Sequence, residues 1–163
     1  MDGNLHSIHE RLFPLTRERA EGDNGYPMRV KFALLADYAM VSRENKIGVI
    51  GIFDQINAPV LPFTMPQMYV VVGLEGEVSE IGQDFSLELL LWDPDGNPIF
   101  SLERHFAFAP QALAGQRPAH NEIGAIGGLQ FAAAGPYSLI VRVNNEERDR
   151  IVLQVSDASR RVE

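Results

Sequence analysis

The last third of the chain constrains its fold more than any other part. Ala134-Gly135-Pro136 opens a segment in which Tyr137, Leu139, Val141 and Val143 alternate with Ser138 and Arg142. Asn144-Asn145 follows, and Ile151, Leu153 and Val155 alternate on the return. A period of two places one set of side chains on one face of a strand. Paired Asn residues suit the left-handed backbone of a two-residue turn, so the segment reads as a β-hairpin.

The same period recurs upstream. Val30, Phe32, Leu34, Ala36 and Tyr38 alternate along a first strand from Arg29, which predicts one apolar face of even-numbered residues. Ser42 to Lys46 is a polar turn. Ile47 to Phe53 reads as a second strand, apolar on both faces, with Gly48 and Gly51 inside it. Glycine within a strand marks a bulge or a close backbone approach. Prolines 59, 62 and 66 predict a stiff crossing between sheets over Asn57 to Pro66, because proline cannot donate to a ladder. Gln67 to Glu77 is apolar on both faces around Val70, Val71 and Val72, the pattern of a central strand. Phe85, Leu87, Leu89 and Leu91 line a fourth strand, and Asp93-Pro94-Asp95-Gly96-Asn97-Pro98 is a turn. Phe100, Leu102, Phe106 and Phe108 face inward from a fifth, and Glu122 to Phe131 resumes the pattern through Gly124, Gly127 and Gly128.

About eight strands with no helix between them make an all-β chain. The expected architecture is an antiparallel β-sandwich over residues 28–156, immunoglobulin-like or jelly-roll-like, closed by the hairpin. Residues 157–163 form a tail. Residues 1–27 break the pattern: Leu5, Ile8 and Leu12 make one stripe on a short helix from Asn4 to Pro14, and Thr16 to Pro27 is a linker. So short a helix is marginal alone in water. Leu5, Ile8 and Leu12 are therefore candidate docking residues for a partner or for the domain's own surface. The competing reading makes 1–27 an unstructured extension, or places the true start at Met28.

Charge and composition exclude several functions. The chain carries a formal net charge of −8 over 163 residues, and its basic residues are scattered, with Arg17/Arg19 and Arg160/Arg161 among the tightest groups. Nucleic-acid affinity draws on clustered Lys and Arg, so no nucleic-acid partner is expected. The absence of cysteine rules out disulfides, thiolate catalysis and Cys-ligated metals. No apolar run approaches the roughly 20 residues of a membrane span. Met1 to His6 has no basic region followed by a long apolar run, so no signal peptide is read there and the expected location is cytoplasmic.

Several constellations invite chemistry and have plainer explanations. His6 and His9 share a helix face, but His105 and His120 lie far along the chain, and zinc needs three or four convergent ligands, so no metal is expected. Asp93-x-Asp95-Gly96-Asn97 lacks the spacing of an EF-hand and is explained by its turn. Glu103 and His105 share a strand face and read as a surface ion pair, with no nucleophile elbow nearby. Asp37 and Asp54 each end an apolar strand, where a carboxylate needs a partner, a capping role or solvent. A paired acid site is one account of them; capping the following turns is the favoured one, with Arg104 as a salt-bridge candidate for either. Tyr137 after Gly135-Pro136 fits a tyrosine corner, whose hydroxyl bonds back to the main chain. The long loop from Pro110 to Asn121 is a candidate binding surface by its length.

Finally, the runs Ala36-Asp37-Tyr38-Ala39, Gly51-Ile52-Phe53-Asp54-Gln55-Ile56 and Ala58-Pro59, with the Gly-x-Tyr and Val-x-Val of the closing hairpin, resemble a family. It is a bacterial family of small β-sandwich proteins, a domain of unknown function with an ADYA…GIFD-x-I-x-AP opening. The resemblance runs from Met28 to Val155, leaves out the N-terminal extension, and implies no activity, cofactor or catalytic residue. The expectation is thus a non-catalytic protein-binding or assembly module without a cofactor, engaging a protein partner or a second copy of itself. The alternatives are a small-ligand or carbohydrate-binding domain using Trp92, Phe63 or Tyr69, and an acid/base hydrolase using Asp37, Asp54 or Glu103.

Overall fold

The computed structural model describes residues 28–44, 46–110 and 115–160. The N-terminal stretch, with the helix expected around Leu5, Ile8 and Leu12, lies outside the described residues, as do residues 111–114 of the long loop. Among the described residues run β1 (Arg29–Val41), β2 (Ile47–Phe53), β3 (Gln55–Ala58), β4 (Phe63–Glu75), β5 (Asp84–Trp92), β6 (Pro98–Ala107), β7 (Ala119–Phe131), β8 (Gly135–Val143) and β9 (Glu146–Asp157). They form a four-stranded sheet in the order β2-β1-β4-β7 and a five-stranded sheet in the order β3-β9-β8-β5-β6.

Two expectations about pairing need correction. Sequence periodicity suggests about eight strands, all antiparallel; nine are present among the described residues, and β3 runs parallel to β9, from Gln55 opposite Gln154 to Ala58 opposite Asp157. The cause sits at Asp54. This one residue separates β2 from β3, and its carbonyl accepts the Gln154 N–H at 2.8 Å. The chain therefore passes from one sheet to the other without reversing direction. The proline-rich crossing is also shorter than expected, because β4 already begins at Phe63.

One core fills the space between the sheets. Leu87, Leu89 and Leu91 of β5, Leu139 and Val141 of β8, and Leu153 and Val155 of β9 are sealed from solvent on one side. Met68, Val70, Val72 and Leu74 of β4 meet them from the other. Each such side chain contributes roughly 1.5–3 kcal/mol by leaving water. The closing hairpin follows its pattern: Asn144 (φ 49°) and Asn145 (φ 66°) both take the left-handed conformation that a type I′ turn requires.

β1 departs from its pattern. The register shifts between Val30 and Phe32, so the inward row runs Met28, Val30, then Ala33 and Leu35. One extra residue in a strand exchanges its two faces beyond that point. The even-numbered row from Phe32 to Tyr38, expected in the core, consequently faces outward. On β4 and β7 the inward rows also change phase together, from Met68 to Met65 and from Ile126 to Leu129. The change on β7 falls at Gly127-Gly128, where Gly128 has φ 66°.

Candidate functional site

The outward row of β1 continues across the whole four-stranded sheet. Residues directly opposite in an antiparallel pair share a face. Tyr38 stands opposite Ile50, Ala36 opposite Ile52 and Tyr69, Leu34 opposite Val71, and Val71 opposite Ile123. Phe32 and Met40 complete the β1 row. The Tyr38 and Tyr69 rings meet edge to face with centroids 5.5 Å apart, and Gln67 Nε2 donates to the Tyr69 hydroxyl at 3.0 Å. Phe32 lies across Gly73, where any Cβ would overlap its ring.

An antiparallel sheet with one wet face ordinarily alternates apolar inside with polar outside. Here the outer face carries no Asp, Glu, Lys or Arg between the Phe32–Gly73 pair and the Tyr38–Ile50 pair; beyond Gly73, Glu75 opposite Arg29 continues it at one end. Ile50 is 66% exposed, Ile52 61% and Tyr38 46%, while Ala36 and Val71 on the same face are buried. With strands about 4.8 Å apart and a rise of about 3.3 Å per residue, the face covers a footprint of roughly 450 Å².

Charge collects elsewhere. At the end of the sheet where β1 begins, Glu75 pairs with Arg29, lies 3.8 Å from Lys31 Nζ and 3.9 Å from Arg117 Nη1, and Arg117 also bridges to Glu77 at 2.5 Å. The outer face of the five-stranded sheet is mixed, with Leu90, Trp92, Ile140 and Val152 among charged residues. Arg142 Nη1 sits 3.4 Å from Glu88 Oε2, and the same guanidinium stacks 5.8 Å from the Trp92 ring centre. In the turn after β5, Asp93 Oδ1 accepts the backbone N–H of Asp95 at 3.0 Å and of Asn97 at 2.8 Å. The Asn97 N–H above all holds the Asp93 carboxyl below its ordinary pKa. At the β8–β9 turn a two-pronged bond from Arg150, at 2.8 and 2.9 Å, lowers the Glu147 pKa and raises that of Arg150.

The residues singled out from sequence fall in separate places. Tyr137 is 1% exposed, and its hydroxyl donates to the Ala133 carbonyl at 3.0 Å, four residues upstream. Asp37 lies over Gly51, whose positive φ of 68° and missing side chain leave room for the carboxylate. By register, Asp37 faces the Gly51 position of β2, about 10 Å of strand from Asp54. Arg104 pairs with neither aspartate: its Nε is 3.5 Å from Glu122 Oε1, and its Nη1 donates to the Glu103 carbonyl at 3.0 Å. The expected partner is wrong because β6 packs beside β7, whereas Asp37 and Asp54 lie along the opposite edge of the sandwich. Glu103 and His105 approach to 3.6 Å on the open surface. Trp92 belongs to the five-stranded sheet and Phe63 and Tyr69 to the other, so these aromatics form no common platform. Sequence reasoning missed Ile50 and Ile52 as surface residues. The signal was present, since nothing charged stands between Ile47 and Phe53, but apolar residues on both faces read as burial.

A model described as a family of unknown function (DUF6941) matches residues 31–156, from within β1 to within β9. The chain belongs to this family. What DUF6941 recognises is thus the sandwich. Among curated proteins, none matches. Two solved structures are similar in part. The Pseudomonas fluorescens alkylpurine DNA glycosylase AlkC, bound to DNA containing an abasic site analogue, is 10% identical over 80% of this chain, with a TM-score of 0.46. This chain spans 31% of that enzyme's length. An immunoglobulin-like protein from Pseudomonas aeruginosa is 15% identical over 79% of this chain and 96% of its own, with a TM-score of 0.42. At these values neither likeness transfers an activity. No helix among the described residues is long and apolar enough to cross a membrane.

Proposed function

We propose that the domain is a non-catalytic, immunoglobulin-like interaction module that docks protein through the outer face of its four-stranded sheet. The strand orders β1-β4-β7 and β5-β8-β9 correspond to the A-B-E and C-F-G strands of immunoglobulin-type sandwiches, a scaffold used for many binding roles. The observation that carries the reading is the uncharged outer face itself, with Tyr38, Ile50 and Ile52 open to water on a chain of net charge −8. The largest apolar patch on a protein surface is often functional, and aromatic residues with aliphatic neighbours and no charge are the composition of an interface core. The carboxylates considered for catalysis, Asp37, Asp54 and Glu103, converge on no common cleft, which supports a binding role over hydrolysis.

The test is a photo-cross-linking side chain placed at Tyr38 in the full chain, with Val152 as the control. Val152 is equally exposed, at 46%, on the outer face of the other sheet. Protein adducts are expected from position 38 in excess over position 152. Equal yields, or none from either, would refute the assignment.

A further inference from the structure

We infer that β2 takes up an extended strand of another protein along its free edge, so that the partner lengthens the four-stranded sheet through main-chain hydrogen bonds. The inference rests on the interaction-module reading and adds the form of the partner. β2 ends the order β2-β1-β4-β7, so among the described residues nothing pairs with its far side. The turn before it fixes which of its backbone groups face that side. The Ser42 N–H donates to the Lys46 carbonyl at 2.8 Å, which makes these two residues a hydrogen-bonded pair. Bonded and non-bonded pairs alternate along an antiparallel ladder. In the same register Met40–Gly48, Tyr38–Ile50 and Ala36–Ile52 are then bonded pairs. Val41–Ile47 and Ala39–Val49 are not, so the N–H and C=O groups of Ile47 and Val49 point away from β1. Two donors and two acceptors thus stand in line, about 7 Å from one residue to the next. Another extended main chain repeats at that spacing and supplies both kinds of group.

The other sheet edges are blunted in ways that β2 is not. Short length, charge, proline and cover are the usual protections of an edge. β3 has only four residues. β6 carries Pro98, Glu103, Arg104 and His105. β7 is overlaid by β6, with Arg104 Nε 3.5 Å from Glu122 Oε1 and Leu102 filling the space where a Gly124 side chain would stand. β2 has neither charge nor proline from Ile47 to Phe53. Gly51, at φ 68°, interrupts its regular edge, so the added strand registers on Ile47 and Val49. Beside them Tyr38, Met40 and Ile50 are exposed on the outer face. The partner segment is therefore extended, free of proline, and apolar at every second position, where its side chains continue that row.

Residue-resolved amide hydrogen exchange on the full chain, followed by titration with a fluorescent peptide of alternating valine and threonine, tests this. In the chain alone the Ile47 and Val49 amides should exchange near the rates of unstructured peptide, and those of Gly48 and Ile50 slowly. The peptide should protect Ile47 and Val49, and its anisotropy should rise to saturation. Val49→Pro removes one outward N–H and no bond to β1, so it should weaken binding about fivefold or more while the protein stays folded. Ile47→Pro, at the first residue of the strand, is the second variant and should act in the same way. A fully N-methylated peptide should not bind, and Val152→Lys should bind the parent peptide unchanged. No binding, binding that survives both proline changes, or equal binding of the N-methylated peptide would each overturn the inference. Protection of Ile47 and Val49 without peptide would also overturn it: protection that grows with protein concentration assigns the edge to a second copy, and constant protection assigns it to the chain itself. If the edge fails while position 38 still cross-links to a protein, the module reading stands and strand addition is excluded. A peptide held at the edge with no adduct at position 38 would support strand addition and refute docking on the outer face.

Discussion

Removing one oxygen atom from Tyr137 tests how the closing hairpin is anchored. Tyr137→Phe keeps the ring, its 1% exposure and its edge-on contact with Phe131, whose centroid is 5.1 Å away. It deletes the hydroxyl that donates to the Ala133 carbonyl at 3.0 Å and receives the Ala133 N–H at 3.4 Å. The second of these is too long to contribute much. A single neutral hydrogen bond contributes about 1 kcal/mol net. Ala133 is exposed, so water replaces the lost partner and no buried orphan adds to the cost. The expected loss is therefore about 1 kcal/mol, which lowers Tm by about 3–5 °C for a domain of this size. Tyr137→Ala, which also empties a core site, should cost about 3–5 kcal/mol. Urea unfolding followed by the fluorescence of Trp92, the one tryptophan in the chain, gives both numbers. A Phe variant within about 0.3 kcal/mol of the parent would show that the hydroxyl anchors nothing. One as damaged as Ala would show that the bond does far more than its geometry allows.

Two other positions give distinct readouts. Asp93 has its pKa lowered by backbone N–H bonds, so its contribution is fully present above the ordinary aspartate range near pH 4 and is lost as pH falls through the lowered value. Asp93→Ala should melt below the parent at pH 7, with the gap closing under strong acid; a gap independent of pH would contradict the assignment. Gly73→Val should cost about 1–3 kcal/mol by displacing Phe32 from its seat, and an unchanged urea midpoint would mean that the ring is not held there.

The hairpin was legible in the sequence because every local signal agreed: Gly-Pro at the corner, two Asn at the turn, and unbroken alternation from Tyr137 to Val143. The central place of β4 was legible from Val70-Val71-Val72 for the same reason. β1 was misread because a bulge changes the phase of a strand without changing its composition; nothing in Val30-Lys31-Phe32 announces that the face exchanges there. The parallel pairing of β3 was hidden by brevity, since one aspartate separates it from β2. The outer face was visible as composition but misassigned. An apolar row on each side of a strand says that both sides want cover, and the chain's own second sheet supplies cover to only one of them.

The parallel pairing of β3 with β9 bears on how the protein is made. Gln55 to Ala58 bond to Gln154 to Asp157, so a strand synthesised early finds its neighbour only among the last residues of the domain. A nascent chain can form the β1–β2 hairpin from nearby residues while β3 waits with its edge unpaired. Such long-range closure slows folding and prolongs the exposure of strand edges. Sealing of the five-stranded sheet at β3 thus waits until Gln154 to Asp157 have been made, and premature termination before Gln154 leaves a product that no rearrangement of the remaining strands can close in the native way.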